Sequence, residues 1–180
     1  MSGMLEGLFG GKKVIKPDYT GLQIQTAVNT LPIPIVWGMS KLAPNLIWYG
    51  DFETNSGGGK GGKGGLFGGG GTTSYSASII MALCEGLIGG INLIWRDQAA
   101  YTLSSLGLTL FDGAQPQAPW SYMTTYHSSQ ALGYEGTCYV AAANYNLGDA
   151  AIISNHNFEV QGLRYGTGYG QLQFELAIEA

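Results

Sequence analysis

Few side chains in this 180-residue chain are able to do chemistry: two histidines, His127 and His156, two cysteines, Cys84 and Cys138, and twelve carboxylates. A Cys–His hydrolase needs a thiol beside an imidazole, with a third group orienting the base. Neither cysteine has a cationic residue close in sequence, and both sit in apolar runs, where a thiol is inert rather than activated. The acids nearest the histidines are Asp112, Glu135, Asp149 and Glu159. They would serve glycosidic cleavage only if two of them converged in a cleft. The tract 57–71 (GGGKGGKGGLFGGGG) suggests phosphate binding, but Lys60 and Lys63 are each followed by Gly. A phosphate loop requires Ser or Thr there, to hold the metal. No cysteine has a metal-ligating partner at short spacing, and two cysteines make no disulfide framework. They read as two buried free thiols, with a Cys84–Cys138 pairing as the alternative. No catalytic residue, metal or cofactor is therefore expected.

The elements that must position these residues are mostly strands. Leu22 to Val28 alternates apolar and polar residues, and so does Gln171 to Ile178, where Leu172, Phe174, Leu176 and Ile178 share one face. Ile35–Trp37, Leu46–Tyr49, Ser74–Leu83, Ile91–Trp95, Leu106–Phe111, Thr137–Ala143 and Phe158–Leu163 read as further strands. Pro32 and Pro34 confine their stretch to an edge or an extended crossing. The single helix expected is Ser121–Leu132, with Ser121 as its N-cap. Residues 1–20 read as an irregular arm. Residues 21–180 read as one β-rich domain, a sandwich or barrel with one or two short helices. Its Gly-rich insertion at 57–71, eleven glycines in fifteen positions, is expected to be a mobile loop.

Composition narrows the function. Charged residues make up 11% of the chain, against a usual ~25%. Glycine is 30 of 180, well above the usual ~7%, without the period of collagen. Net charge is −4 and the few basic residues are scattered, which argues against nucleic-acid binding. A surface this poor in charge is polar and neutral, or is covered by partners, since interface cores are depleted of charge. The large rings Trp37, Trp48, Tyr49, Trp95, Trp120, Tyr122 and Tyr126 suit a core and protein interfaces. Residues 1–11 lack the basic start of a secretory signal. Tyr75–Trp95 has the length of a membrane span, but Glu85 lies at its centre and Gly86, Gly89 and Gly90 follow. Two buried strands broken at Glu85-Gly86 fit better. Finally, Gly7-Leu8-Phe9-Gly10-Gly11 recurs as Gly65-Leu66-Phe67-Gly68-Gly69. Leu8, Phe9, Leu66 and Phe67 are thus candidate interface anchors for neighbouring subunits. Membrane contact is the lesser use, because each side chain buries only ~1.5–3 kcal/mol.

Several segments, in order, resemble one family. LPIPIVWG and APNLIWYGDF (within Leu31–Phe52), SASIIMALCEGLIGGI (Ser76–Ile91), LGLTLFDG (Leu106–Gly113), QAPWSYM (Gln117–Met123) and QALGYEGTCYVAAANYNLG (Gln130–Gly148) are similar to the N-terminal region of the tail tip, or host-specificity, proteins of lambda-like phages. Cys84-Glu85-Gly86-Leu87-Ile88-Gly89-Gly90 resembles that family's E-G-x-I-x-G turn. The resemblance implies a structural virion protein without catalysis. It would be part of a β-rich hub, a homo-oligomer and in this family usually a trimer, closing the distal end of the tail tube. The implied partners are the distal tail protein, the tape measure protein and fibre or other tail tip subunits. Members of the family are usually much longer, so a fragment, a split gene or a short homologue is implied, and receptor binding does not carry over. Glu85-Gly86 becomes a structural turn between buried strands, its carboxylate either accepting backbone N–H bonds or facing solvent. The alternative function is a tail-associated cell-wall hydrolase or glycan-binding module.

Overall fold

Ten consecutive residues, Tyr75 to Cys84, are buried. A strand alternates its side chains between two faces, so such a run must be covered on both. The computed structural model, which describes residues 20–22, 32–56 and 73–162, supplies both covers. The eight strands are β1 (Met39–Leu42), β2 (Asn45–Ser56), β3 (Thr73–Glu85), β4 (Gly90–Arg96), β5 (Ala99–Tyr101), β6 (Thr109–Asp112), β7 (Thr137–Gly148) and β8 (His156–Gln161). They form two four-stranded antiparallel sheets, ordered β2-β3-β7-β6 and β1-β8-β4-β5.

One face of β3 and β7 (Ile79, Met81, Leu83, Cys138, Val140 and Ala142) packs with Ile94, Phe158 and Val160 of the second sheet. The other face, at Ile80, Tyr139 and Ala141, is covered by Trp120 and Met123. Met123 belongs to helix α1 (Ser121–Tyr126). The molecule is thus mainly β, a two-sheet sandwich with a helical cover on one side. Among the described residues the sheets do not close into a barrel.

The span Tyr75–Trp95 is two strands broken at the expected place, since β3 ends at Glu85 and β4 begins at Gly90. Among the described residues no helix is long and apolar enough to cross a membrane. The helix is shorter than its sequence predicts. It ends at Tyr126, and Ser128–Gln130 form a separate 3₁₀ turn. Trp120, not Ser121, occupies the N-cap position and makes no side-chain cap there. The expected strand at Leu106–Phe111 starts later, because Ser104–Leu106 is a 3₁₀ turn closed by left-handed Gly107. Ile35–Trp37 is extended but makes only isolated bridges. The strand expected at Leu22–Val28, apart from Leu22, and that at Gln171–Ile178 lie outside the described residues, as do most of the arm 1–20 and the whole tract 57–71.

Candidate functional site

The sheet that carries α1 has a polar node on its covered face, built on Ser78 of β3. Pairing slips on both sides of this residue. Between Gly50 and Glu53, β2 has an extra residue, and between Ala142 and Tyr145, β7 has another. Each bulge contains one residue with left-handed backbone, Asp51 (φ 50°) and Asn144 (φ 50°). Asp and Asn are the non-glycine residues that tolerate this region best. The bulges turn backbone and side-chain polar groups toward Ser78, which is itself fully buried.

A directed chain of hydrogen bonds results. The Asn144 N–H donates to Ser78 Oγ (3.3 Å), and Ser78 donates to the Tyr122 hydroxyl (3.0 Å). Tyr122 in turn donates to Asp51 Oδ2 (2.7 Å), where His127 Nε2–H also donates (2.8 Å). The Tyr122 hydrogen bond is the main cause holding the Asp51 carboxyl below its ordinary value, and His127 adds to it. Burial pushes the Tyr122 hydroxyl up. Asp51 and His127 keep 34% and 25% of their side-chain surface exposed, so the node opens to solvent at its outer end. Aromatic rings frame that end. Trp48 meets His127 edge-on at 5.1 Å and donates its indole N–H to Gln130 (2.7 Å). Tyr122 stacks on Trp120 and touches Tyr126, which is exposed. The arrangement fastens α1 and the 3₁₀ turn to the sheet and offers an aromatic, weakly acidic surface patch.

A second polar device secures the corner after β3. Glu85 is exposed, and among the described residues no hydrogen bond to its carboxylate is found. The corner is held by backbone instead. Glu85 N–H donates to Pro34 (2.9 Å), Gly86 N–H to Gly136 (2.6 Å) and Ile88 N–H to Asp112 (2.9 Å). Gly113 has φ +86° and a Cβ there would collide with the carbonyl of Gly86, so the close approach requires glycine. Beneath it lies buried Gln117. Its Oε1 accepts from the Gly113 N–H (2.9 Å), and its Nε2 faces the carbonyls of Gly133, Tyr134 and Thr137 at 3.0–3.1 Å.

Among the described residues, those able to do chemistry meet as two pairs, His127 with Asp51 and Cys84 with Cys138. Cys84 and Cys138 are free and buried, and they face each other across β3 and β7. Contact with Cys84, together with burial, holds the Cys138 thiol well above its ordinary range. His156 is buried, donates from Nδ1 to the Ser154 carbonyl (2.6 Å) and accepts at Nε2 from Tyr145 (2.7 Å). Burial lowers its pKa, which keeps the ring neutral. Among the described residues no cluster of three His, Cys, Asp or Glu could hold a metal ion. The candidate anchors Leu8, Phe9, Leu66 and Phe67 lie outside the described residues. The described surface has apolar residues of its own, however: Ile33, Ile35 and Trp37, and Met39 beyond the left-handed bend at Gly38, are each exposed by 45–57%.

Sequence reasoning passed over Gln117, Ser78 and Asp51. Only Asp51 left a signal, an acid inside an apolar strand directly after Gly50.

No family model matches the chain, and the comparison with curated proteins finds no match either. Among solved structures, a chain from the virion of a native gene transfer agent particle has the same fold, with a TM-score of 0.56 and 20% identity. The alignment covers 91% of this chain and 34% of that one, so this chain spans about a third of its neighbour's length.

Proposed function

We propose that this chain is a structural protein of a phage-like virion and forms part of the hub at the tail tip. The observation that carries the reading is the fold shared, over nearly the whole chain, with a component of a gene transfer agent virion. The ordered segments similar to lambda-like tail tip proteins support it. So do the 11% charge and the exposed row from Ile33 to Met39, which suit a subunit whose surface meets other subunits. In this reading the chain oligomerises, as a trimer by analogy with the family, and contacts the distal tail, tape measure and fibre proteins. It has no chemistry of its own. Antibody labelling of virions, with native mass measurement of the purified chain, tests the proposal. Label at the tail tip and an oligomer are expected; a strict monomer absent from virions would sink it.

The aromatic patch around Asp51 and His127 favours a second reading, a glycan-binding module. Incubation with host polysaccharide separates the two. Binding that is lost in Tyr126→Ala would favour the glycan reading, and none is expected of a purely structural hub.

A further inference from the structure

The chain has two cysteines, and the fold makes them direct neighbours across a strand pair. Cys138 of β7 has two residues directly opposite it, Asp112 of β6 and Cys84 of β3. Opposed residues of a sheet point their side chains to the same face. Here both thiols enter the core between the two sheets, which also holds Leu83 and Val140. They are free, fully buried and in contact with each other. Opposed residues of an antiparallel pair have Cα atoms about 4.5 or 5.5 Å apart, according to their place in the hydrogen-bond ladder. A disulfide takes about 4.4–6.8 Å, so the two strands already stand at bridging distance.

The pair also sits where the ladder is irregular. Between Ala82 and Cys84, β3 has one extra residue against β7, and the strand ends one residue further on, at Glu85. A bulge bends and twists its strand locally. Drawing the two sulfurs from contact to a bond therefore asks for movement beside a bulge at a strand end, not within a regular ladder. The segment between the cysteines carries β4, β5, β6 and α1, and so takes in strands of both sheets. A bond would close it into one covalent loop. Closing a long loop constrains the unfolded chain and thereby favours the folded one.

We propose that Cys84 and Cys138 form a reversible oxidation site, a dithiol that closes to a disulfide and fastens β3 to β7 when the protein meets a low-molecular-weight disulfide. The proposal goes beyond the virion reading and does not depend on it. While the core is open, one cysteine attacks as thiolate on a sulfur of the small disulfide and releases one small thiol. The other cysteine then attacks the protein sulfur of the mixed disulfide, and the second small thiol leaves. Two electrons pass from the protein sulfurs to the oxidant, and the two thiol protons end on the two released thiols. The test uses the full chain with excess oxidised glutathione, in urea just below the unfolding transition, where the core opens transiently and the fold persists. A monomer lighter by two hydrogen atoms is expected in the intact mass. An unchanged mass, a lasting glutathione adduct or a disulfide-linked dimer as main product would each overturn the proposal. Urea unfolding serves as the second measurement. The oxidised chain should unfold at a higher urea concentration than the reduced chain, and a thiol reductant should restore the lower midpoint. A midpoint equal to or below that of the reduced chain would mean that the fold does not accommodate the bond. In Cys138→Ala the same oxidant should leave the midpoint unraised; a rise there would trace the gain to something other than the bond. Either result also overturns the proposal.

Discussion

At the residue scale, polar groups inside the sheets decide more than their number suggests. Gln117 satisfies the N–H of Gly113 and faces three carbonyls of the single segment 133–137. Gln117→Leu keeps the volume but leaves those groups without partners, and should cost about 2–3 kcal/mol in urea unfolding. Two tyrosines make a sharper comparison. Tyr122→Phe removes the acceptor for buried Ser78 and a donor to Asp51, for a loss of about 1–2 kcal/mol. The Tyr139 hydroxyl is buried, makes no side-chain hydrogen bond and is pushed up to about 12, mainly by burial, so Tyr139→Phe should be neutral or stabilising. Denaturation midpoints of the two variants check the difference. His156 makes a prediction in pH. Its folded pKa lies below the ordinary 6.5, so the unfolded state takes up its proton first as pH falls. Stability should be full above pH 6.5 and decline below it, toward the lowered folded value. In His156→Gln that decline should flatten, as read from urea midpoints across the range. Asp51 acts separately and at lower pH. Its carboxylate contributes above the ordinary 3.8, and the contribution is lost as pH falls through its lowered value.

At the scale of elements, β3 sets the architecture. Its unbroken apolar run from Ile79 to Cys84 is visible in the sequence, and so is its break at Glu85-Gly86. What covers it is not, because a continuous run carries no period that says which neighbour lies on which face. With both faces covered, Ile79→Ala and Ile80→Ala should each cost about 2–4 kcal/mol, one through each core, as measured by chemical denaturation. A strand with one solvated face would show the loss at only one of the two. Helix α1 explains the opposite kind of error. Ser121 has the residue type of an N-cap, but Trp120 holds that position, because its ring is needed in the core beside Met123. The helix stops at Tyr126 because His127 turns away to reach Asp51, 76 residues earlier. The bulges at Asp51 and Asn144 were illegible for the same reason, since a local reading cannot register partners from three strands meeting at Ser78.

At the scale of the whole molecule, the low charge and the exposed apolar row point to associations held by apolar contact rather than by ion pairs. Binding between this chain and its proposed tail partners should therefore be unweakened between 0.1 and 1 M NaCl, where contacts between exposed charges are screened. Sedimentation or surface binding at the two salt levels checks this, and dissociation at high salt would point to charge instead. The mainly β character and the approximate places of most described strands were legible from alternation and turn residues. The division into two sheets was not, because strand order depends on pairings far apart in sequence, such as β1 with β8. One described feature also provides a clock. Cys84 and Cys138 lie side by side on β3 and β7 and are fully buried in the core between the two sheets, so a thiol-specific dye reaches them only while that core is open. Given excess dye, the rate of colour development counts those openings, and a partner that clamps the sheet would slow it.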